Sequence, residues 1–267
     1  MSLFPCFLPQ IVVDSTDNAL SVTVTGGTGA GTSTVSIAAG IYYLRGDGAA
    51  GDLLAAIDTA LESHSTTGTF TCSVSRNIDE ASSGCTVTLA LSGGPTSWAI
   101  NTSGTTFDLS WLGMATGMAA ALSHSSTQTV RGCWASSEVM SVDDPGWEGR
   151  TTVNELDGGS VSPHSFGATS KRRACTIDFL WRRRVAETAS LDTPHAALAH
   201  LLYGGAFERH DTLLSSGTTL SALSSSTKIG GLWHFSESTC RNLRPARQEP
   251  GLDLWTLQMD LVGGEGV

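Results

Sequence analysis

Seven histidines, six cysteines and 25 acidic residues are the side chains of this 267-residue chain most able to carry chemistry, so their spacing is read first. His195 and His200 stand five apart, which puts them on different faces of a helix, so they do not chelate one ion as a His-x3-His pair does. His210 and Asp211 adjoin, but no third group follows at a triad's spacing. No Gly-x-Ser-x-Gly elbow and no His-Glu-x-x-His occurs. Cys6, Cys72, Cys85, Cys133, Cys175 and Cys240 are scattered, without a CxxC or a zinc-spaced Cys/His cluster. They read as small buried hydrophobes made in a reducing cytosol, with Cys72 and Cys85 flanking one hairpin and able to approach each other. The expectation is no catalytic residue, no metal and no cofactor: a non-enzyme.

Two short motifs have bland explanations. Gly26 to Ser33 superficially resembles a phosphate loop, but Thr32 stands where Lys must reach the terminal phosphates, and a strand-like alternation follows. It reads as a hairpin turn. Arg45-Gly46-Asp47 spells an integrin-ligand tripeptide and reads as a loop with a helix cap. The dense basic groups are Arg172-Arg173 and Arg182-Arg183-Arg184. They are candidate subunit-interface residues facing an acidic partner surface, or strand ends whose stems cover apolar surface. Phe4 and Phe7 join them as candidates, because an apolar arm needs a cover. The tryptophans (98, 111, 134, 147, 181, 233, 255) read as core or interface anchors.

The elements that must position these residues follow from periodicity. Residues 1–9 hold two prolines and no period and are expected as an extended arm. Ile11–Val13 and Leu20–Val24 are strands, and Val35-Ser36-Ile37 a third. A helix follows, with Ala50, Leu53, Leu54, Ile57 and Leu61 as one apolar stripe and Asp47 or Asp52 at its N-terminus. Thr69–Ser75 and Cys85–Leu91 form a hairpin, and Trp98–Ile100 and Phe107–Leu109 are short strands. In the second half, strands are expected at 129–134, 138–142, 171–185, 229–235 and 252–262. A helix opens at Thr193-Pro194 with Leu198, Leu201 and Leu202 buried, and a loop runs from Gly205 to Leu213-Leu214. The fold class is α+β and β-rich: mostly antiparallel sheets or sandwiches, each with a short covering helix.

Composition divides the chain. Before residue 131 two cations stand against nine acids; after it thirteen stand against sixteen. With small polar residues over 115–128, this sets the expected organisation: an N-terminal arm (1–9), an α+β module (10–120), a linker (121–128) and a β-rich domain (129–267). A net charge of −10 opposes general nucleic-acid binding, which needs a basic face. Charged residues make up 15%, few for a surface left entirely to water. Met1–Pro9 lacks a basic start and is broken by proline, so no secretory signal is expected. No apolar run approaches the roughly 20 residues of a membrane span.

The stretch from Val35 to Leu61 runs through Ala-Gly-Ile-Tyr-Tyr-Leu, a Gly-Asp-Gly loop and Leu-Leu-x-x-Ile-x-x-x-Leu. It resembles a module of tailed-bacteriophage virion structural proteins, read as strand, proline or alanine-glycine-x-tyrosine, helix and hairpin. Such modules end in a Leu-Gly-hydrophobic turn, which Trp111-Leu112-Gly113-Met114 fits. The resemblance covers residues 10–118, departing at Ala39, where proline is common. More loosely, the second half resembles tail and baseplate proteins in its Arg-flanked strand, short helix, Ala206–His210 run and Trp-centred last strand. The resemblance implies a structural subunit that self-assembles into a ring or tube of the tail (tail tube, distal tail/baseplate or neck). Its partners would be copies of itself and other tail or neck proteins, with nucleic acid only as passing cargo. It implies assembly in the bacterial host cytoplasm and residence in the virion, and brings no catalytic residues. The alternative is a receptor- or carbohydrate-binding tail appendage.

Overall fold

Runs of alternating hydroxyl and apolar residues, cut by glycine turns, fold here as antiparallel strands. A computed structural model describes residues 2–66, 68–77, 84–127, 134–135, 139–143, 147–148, 151–156, 160–165, 172–184, 206–214, 219–220, 228, 231–235, 244–249 and 252–264. The first half contains β1 (Ser2–Pro9), β2 (Ile11–Val13), β3 (Ala19–Thr25), β4 (Gly31–Ser36), β5 (Gly40–Tyr42) and helix α1 (Leu53–Glu62). Then come β6 (Thr69–Asn77), β7 (Gly84–Ser92), β8 (Ser97–Asn101), a 3-10 turn (Leu109–Leu112), β9 (Met118–Ala121) and β10 (Ser123–Ser125). The second half contains β11 (Trp134–Ala135), β12 (Val139–Asp143), β13 (Trp147–Glu148), β14 (Thr151–Leu156), β15 (Ser160–Ser165) and β16 (Arg172–Arg184). It closes with β17 (Phe207–Leu214), β18 (Thr219–Leu220), β19 (Trp233–Phe235), β20 (Arg244–Glu249) and β21 (Leu252–Gly264). The fold is a β-rich α+β architecture of mostly antiparallel sheets.

In the first half, one four-stranded sheet runs β4-β3-β8-β9 and a second runs β10-β7-β6-β18. β2 and β5 form a separate ribbon. Between them lies one apolar core in which Leu20, Val22, Val24, Ile37, Val87, Leu89, Trp98 and Ile100 meet α1. The helix contributes Leu53, Leu54, Ile57, Ala60 and Leu61, all buried. Removing each large side chain of this stripe from water contributes about 1.5–3 kcal/mol. Ala50, expected on the stripe, is exposed and precedes the helix, because Asp52 sets the N-cap two residues later.

The second half is organised by a nine-stranded sheet with the path β11-β1-β17-β19-β21-β16-β12. Its longest ladder joins β16 to β21 over thirteen residue pairs, Arg172↔Gly264 to Arg184↔Leu252. Gly263 has a steric job there: a Cβ would stand 2.7 Å from the Trp233 indole on β19.

Four expectations change. The arm is strand β1, paired with β17 from Ser2↔Leu214 to Pro9↔Phe207. A continuous apolar run marks a strand inside a sheet, and such a strand shows no period. The linker is β10 and its continuation: it pairs with β7, and Ser126 N–H and Thr127 N–H donate to Val87 and Gly113 carbonyls (2.9 and 3.1 Å). Phe107–Leu109 is no strand, because the Asp108 side chain caps the 3-10 turn by accepting from Ser110 N–H (2.9 Å). The loop drawn from Gly205 to Leu213 is largely β17. The helix expected at Thr193-Pro194 lies outside the described residues.

The halves exchange strands. β1 lies in the second half's sheet, while β18 extends the first half's sheet through Thr219↔Asn77 and Leu220↔Arg76.

Candidate functional site

Two buried carboxylates organise the polar interior, starting from the loop between β5 and α1. Asp52 (2% exposed) accepts from the backbone N–H groups of Gly46 (3.0 Å), Gly48 (2.9 Å) and Leu54 (3.2 Å). Its short side chain thus caps α1 and closes the Arg45–Ala50 loop over the helix start, where a negative charge meets the positive end of the dipole. Gly46 suits that turn twice over: its φ is +73°, and a Cβ would stand 2.5 Å from Val74 Cγ1.

Arg45 turns inward from this loop and is 7% exposed. Its Nη2 donates to the Ala50 carbonyl, its Nε stands 3.5 Å from Asp47 Oδ1, and its guanidinium lies 5.9 Å from the Tyr43 ring centroid. The tripeptide is therefore a folded loop whose arginine is buried. Nor is the glycine-rich stretch at 26–33 a phosphate cradle: Val24 pairs with Gly31, so it is the β3–β4 hairpin turn.

From β17 comes the second carboxylate. Glu208 is 2% exposed and His210 0%; two residues apart on a strand, they share a face. Glu208 Oε1 accepts from Lys228 Nζ (2.8 Å) and lies 3.5 Å from Arg45 Nη1, while His210 Nε2–H donates to Oε2 (3.3 Å). Burial pushes the Glu208 carboxyl up. The hydrogen bonds from His210 and Lys228, with the charges of Lys228 and Arg45, outweigh that and hold it below the ordinary value. The Tyr43 phenol is pushed up to about 12, first by burial and then by the Glu208 charge, with Arg45 opposing. On the other face of β17, Arg209 stacks over Trp233 at 5.2 Å and is 1% exposed.

This junction ties Arg45 of the first half to Glu208 of the second, beside the Gln10 N–H that donates to the Ala206 carbonyl (2.9 Å). Leu8, on the strand that pairs with Glu208, sits in the first half's core. Removing two charges from water is costly, and only the close pairing and the added hydrogen bonds offset it. Chemically, the arrangement holds chain segments together: its carboxylates accept from groups of the protein itself.

The residues singled out from the sequence fall in different places. His210 joins Glu208, a partner that sequence spacing alone could have suggested as Glu-x-His on a strand. His195 and His200 lie outside the described residues. Arg172 and Arg173 stand at one end of β16, opposite Gly264 and Gly263, with Glu148 and Trp147 across the other edge. Arg182, Arg183 and Arg184 stand at the far end, opposite Leu254, Asp253 and Leu252. Phe4 pairs with Thr212, and Phe7 with Arg209 and Trp134. Trp98 and Trp233 are fully buried, as core anchors should be. Cys72 carries a free thiol. Its register partner on β7 is Leu89, while Cys85 stands opposite Arg76. Among the described residues no three His, Cys, Asp or Glu side chains converge on a metal-sized site. Nor is any described helix long and apolar enough to cross a membrane. No protein-family model matches the chain, and no curated protein matches it significantly.

Proposed function

We propose that the chain is a structural subunit of a tailed-phage virion, self-assembling with copies of itself into a ring or tube of the tail, baseplate or neck, and performing no catalysis. The observation that carries this reading is the first module. The residues behind the resemblance fold around one core: strand β4, the Gly-Asp loop closed by Asp52, helix α1, the β6–β7 hairpin, and the turn ending at Leu112-Gly113-Met114.

Two further features support it. The buried carboxylates Asp52 and Glu208, and His210 beside the latter, bond to the protein's own chain. The β2–β5 ribbon presents a cross-strand pair, Val12↔Ile41, that is 63% and 53% exposed, as an edge meant for a neighbour would. In this reading the Arg groups of β16 and the strand carrying Phe4 and Phe7 belong to subunit contacts, and the protein resides in the virion. Light scattering of the purified chain with negative-stain imaging tests it. Discrete rings or tubes are expected; a stable monomer that binds cell-surface glycans would make the chain a tail appendage instead.

A further inference from the structure

The loop from Arg45 to Asp52 (RGDGAAGD) holds a reactive pair that the junction does not use. Asp47-Gly48 belongs to the dipeptide class most prone to form a succinimide, because glycine puts no side chain in the way of its own nitrogen. In that reaction the Gly48 nitrogen attacks Cγ of the protonated Asp47 carboxyl and a C–N bond forms. The carboxyl OH and the Gly48 amide hydrogen leave as water, so the ring nitrogen carries no hydrogen. Water then opens the ring at either carbonyl, restoring aspartate or leaving isoaspartate, whose backbone is one methylene longer. The chain's other Asp-Gly pair, Asp157-Gly158, lies outside the described residues.

The fold holds both reacting groups. Gly48 N–H donates to Asp52 Oδ2 (2.9 Å), while Asp52 Oδ1 accepts from Gly46 N–H (3.0 Å) and Leu54 N–H (3.2 Å), which pins the nitrogen to the start of α1. A carboxylate is far too weak a base to take a backbone amide proton, so this bond restrains the nitrogen and does not activate it. Because the ring nitrogen has no hydrogen, every route through the succinimide forfeits the bond. On the other side, Asp47 Oδ1 accepts from Ala49 N–H (3.1 Å) and lies 3.5 Å from Arg45 Nε. Arg45 is itself fixed by donating from Nη2 to the Ala50 carbonyl. Turning Cγ toward the nitrogen strains both contacts. Gly48 is exposed, so water is at hand and burial does not account for the restraint.

We propose that Asp47-Gly48 is an isomerisation site held shut by Asp52, whose carboxylate keeps the Gly48 nitrogen out of the reaction. The cost of losing that restraint is local. Gly46 and Gly48 sit at positive φ (+73° and +71°) and both bind Asp52, so a methylene inserted between them breaks the fit of the loop over the helix start. The proposal is independent of the virion reading, since it concerns one loop whatever contacts the chain makes elsewhere.

The test ages the full chain at mildly acidic pH and reads isoaspartate at Asp47 by enzymatic methyl labelling and peptide mapping. The urea-unfolded parent sets the unrestrained rate. The folded parent is expected to isomerise at least roughly tenfold more slowly, the factor that a hydrogen bond to a charged group is worth. Asp52→Ser keeps a capping oxygen for Leu54 N–H but is too short to hold Gly48, and is expected to recover most of that factor with the parent's circular dichroism unchanged. Equal rates in the folded and unfolded parent, or an Asp52→Ser rate no higher than the folded parent's, overturn the proposal. Should Asp52→Ser lose its helix signal, Asp47→Asn is read instead with Asp52 intact. It forms the same ring by losing ammonia, seen as the mass gain of deamidation, and is expected to do so at least roughly tenfold more slowly folded than unfolded. Equal rates there overturn the proposal as well.

Discussion

Asp52 and Glu208 are equally buried, at 2% exposure each, yet they are satisfied in opposite ways. Asp52 answers to backbone amides within six residues of itself, so its environment is made by one loop. Glu208 answers to Arg45 and Lys228, side chains drawn from distant parts of the chain, as well as to His210 on its own strand. The first carboxylate forms a local element; the second exists only once the halves have met. Burial alone therefore does not say what a charged residue does. The sequence distance to its partners does.

The sharpest way to break this contrast is to remove each carboxylate. Glu208→Ala leaves Lys228 and the Arg45 guanidinium facing an empty buried site, and a loss of about 3 to 5 kcal/mol is expected in urea unfolding. Asp52→Ala removes an N-cap and strips acceptors from Gly46 and Gly48, for a smaller loss of about 1 to 2 kcal/mol. Equal losses, or a larger one at Asp52, would mean that the junction is no more than a surface-grade ion pair.

Titration sharpens the contrast further. Because the Glu208 carboxyl is held low in the fold, its stabilisation is complete above the unfolded value near 4.5 and is lost as pH falls below it. Glu208→Gln should flatten that acid limb. Tyr43 supplies the alkaline counterpart. With its folded value near 12 against 10 unfolded, the unfolded chain ionises first, so stability should decline from pH 10 upward. Tyr43→Phe should remove that decline. The smallest effect belongs to His124, whose Nε2–H donates to the Trp98 carbonyl (3.0 Å) and whose value burial pulls down despite that bond. Stability should slip as pH falls below 6.5, because the unfolded imidazole protonates first, and a His124→Gln chain unfolded at pH 7 and pH 5.5 should show no such slip.

The same contrast explains what could be read before the structure. The stripe through Leu53, Leu54, Ile57 and Leu61, the β6–β7 hairpin, and the alternation along β16 and β21 are local patterns, and the chain folds as they indicate. β17 escaped because Glu208, Arg209 and His210 look like solvent residues; what buries them is supplied by Arg45, Trp233 and Lys228. β1 escaped because an apolar run without a period is silent about its partner. Glu62 lies off the apolar stripe of α1, and only the fold shows that its carboxylate accepts from Phe70 N–H on β6.

Strand β1 carries one more consequence, for synthesis. Its eight partners on β17 leave the ribosome roughly two hundred residues after it does. The first module, whose pairings are mostly closed by Thr127, can gather its core meanwhile with Leu8 in it, while the β17 side of β1 waits without its partner strand. The first strand made would then be among the later ones to complete its ladders, and a chain cut short before Phe207 would display the β17-facing edge of that strand to any open sheet edge nearby.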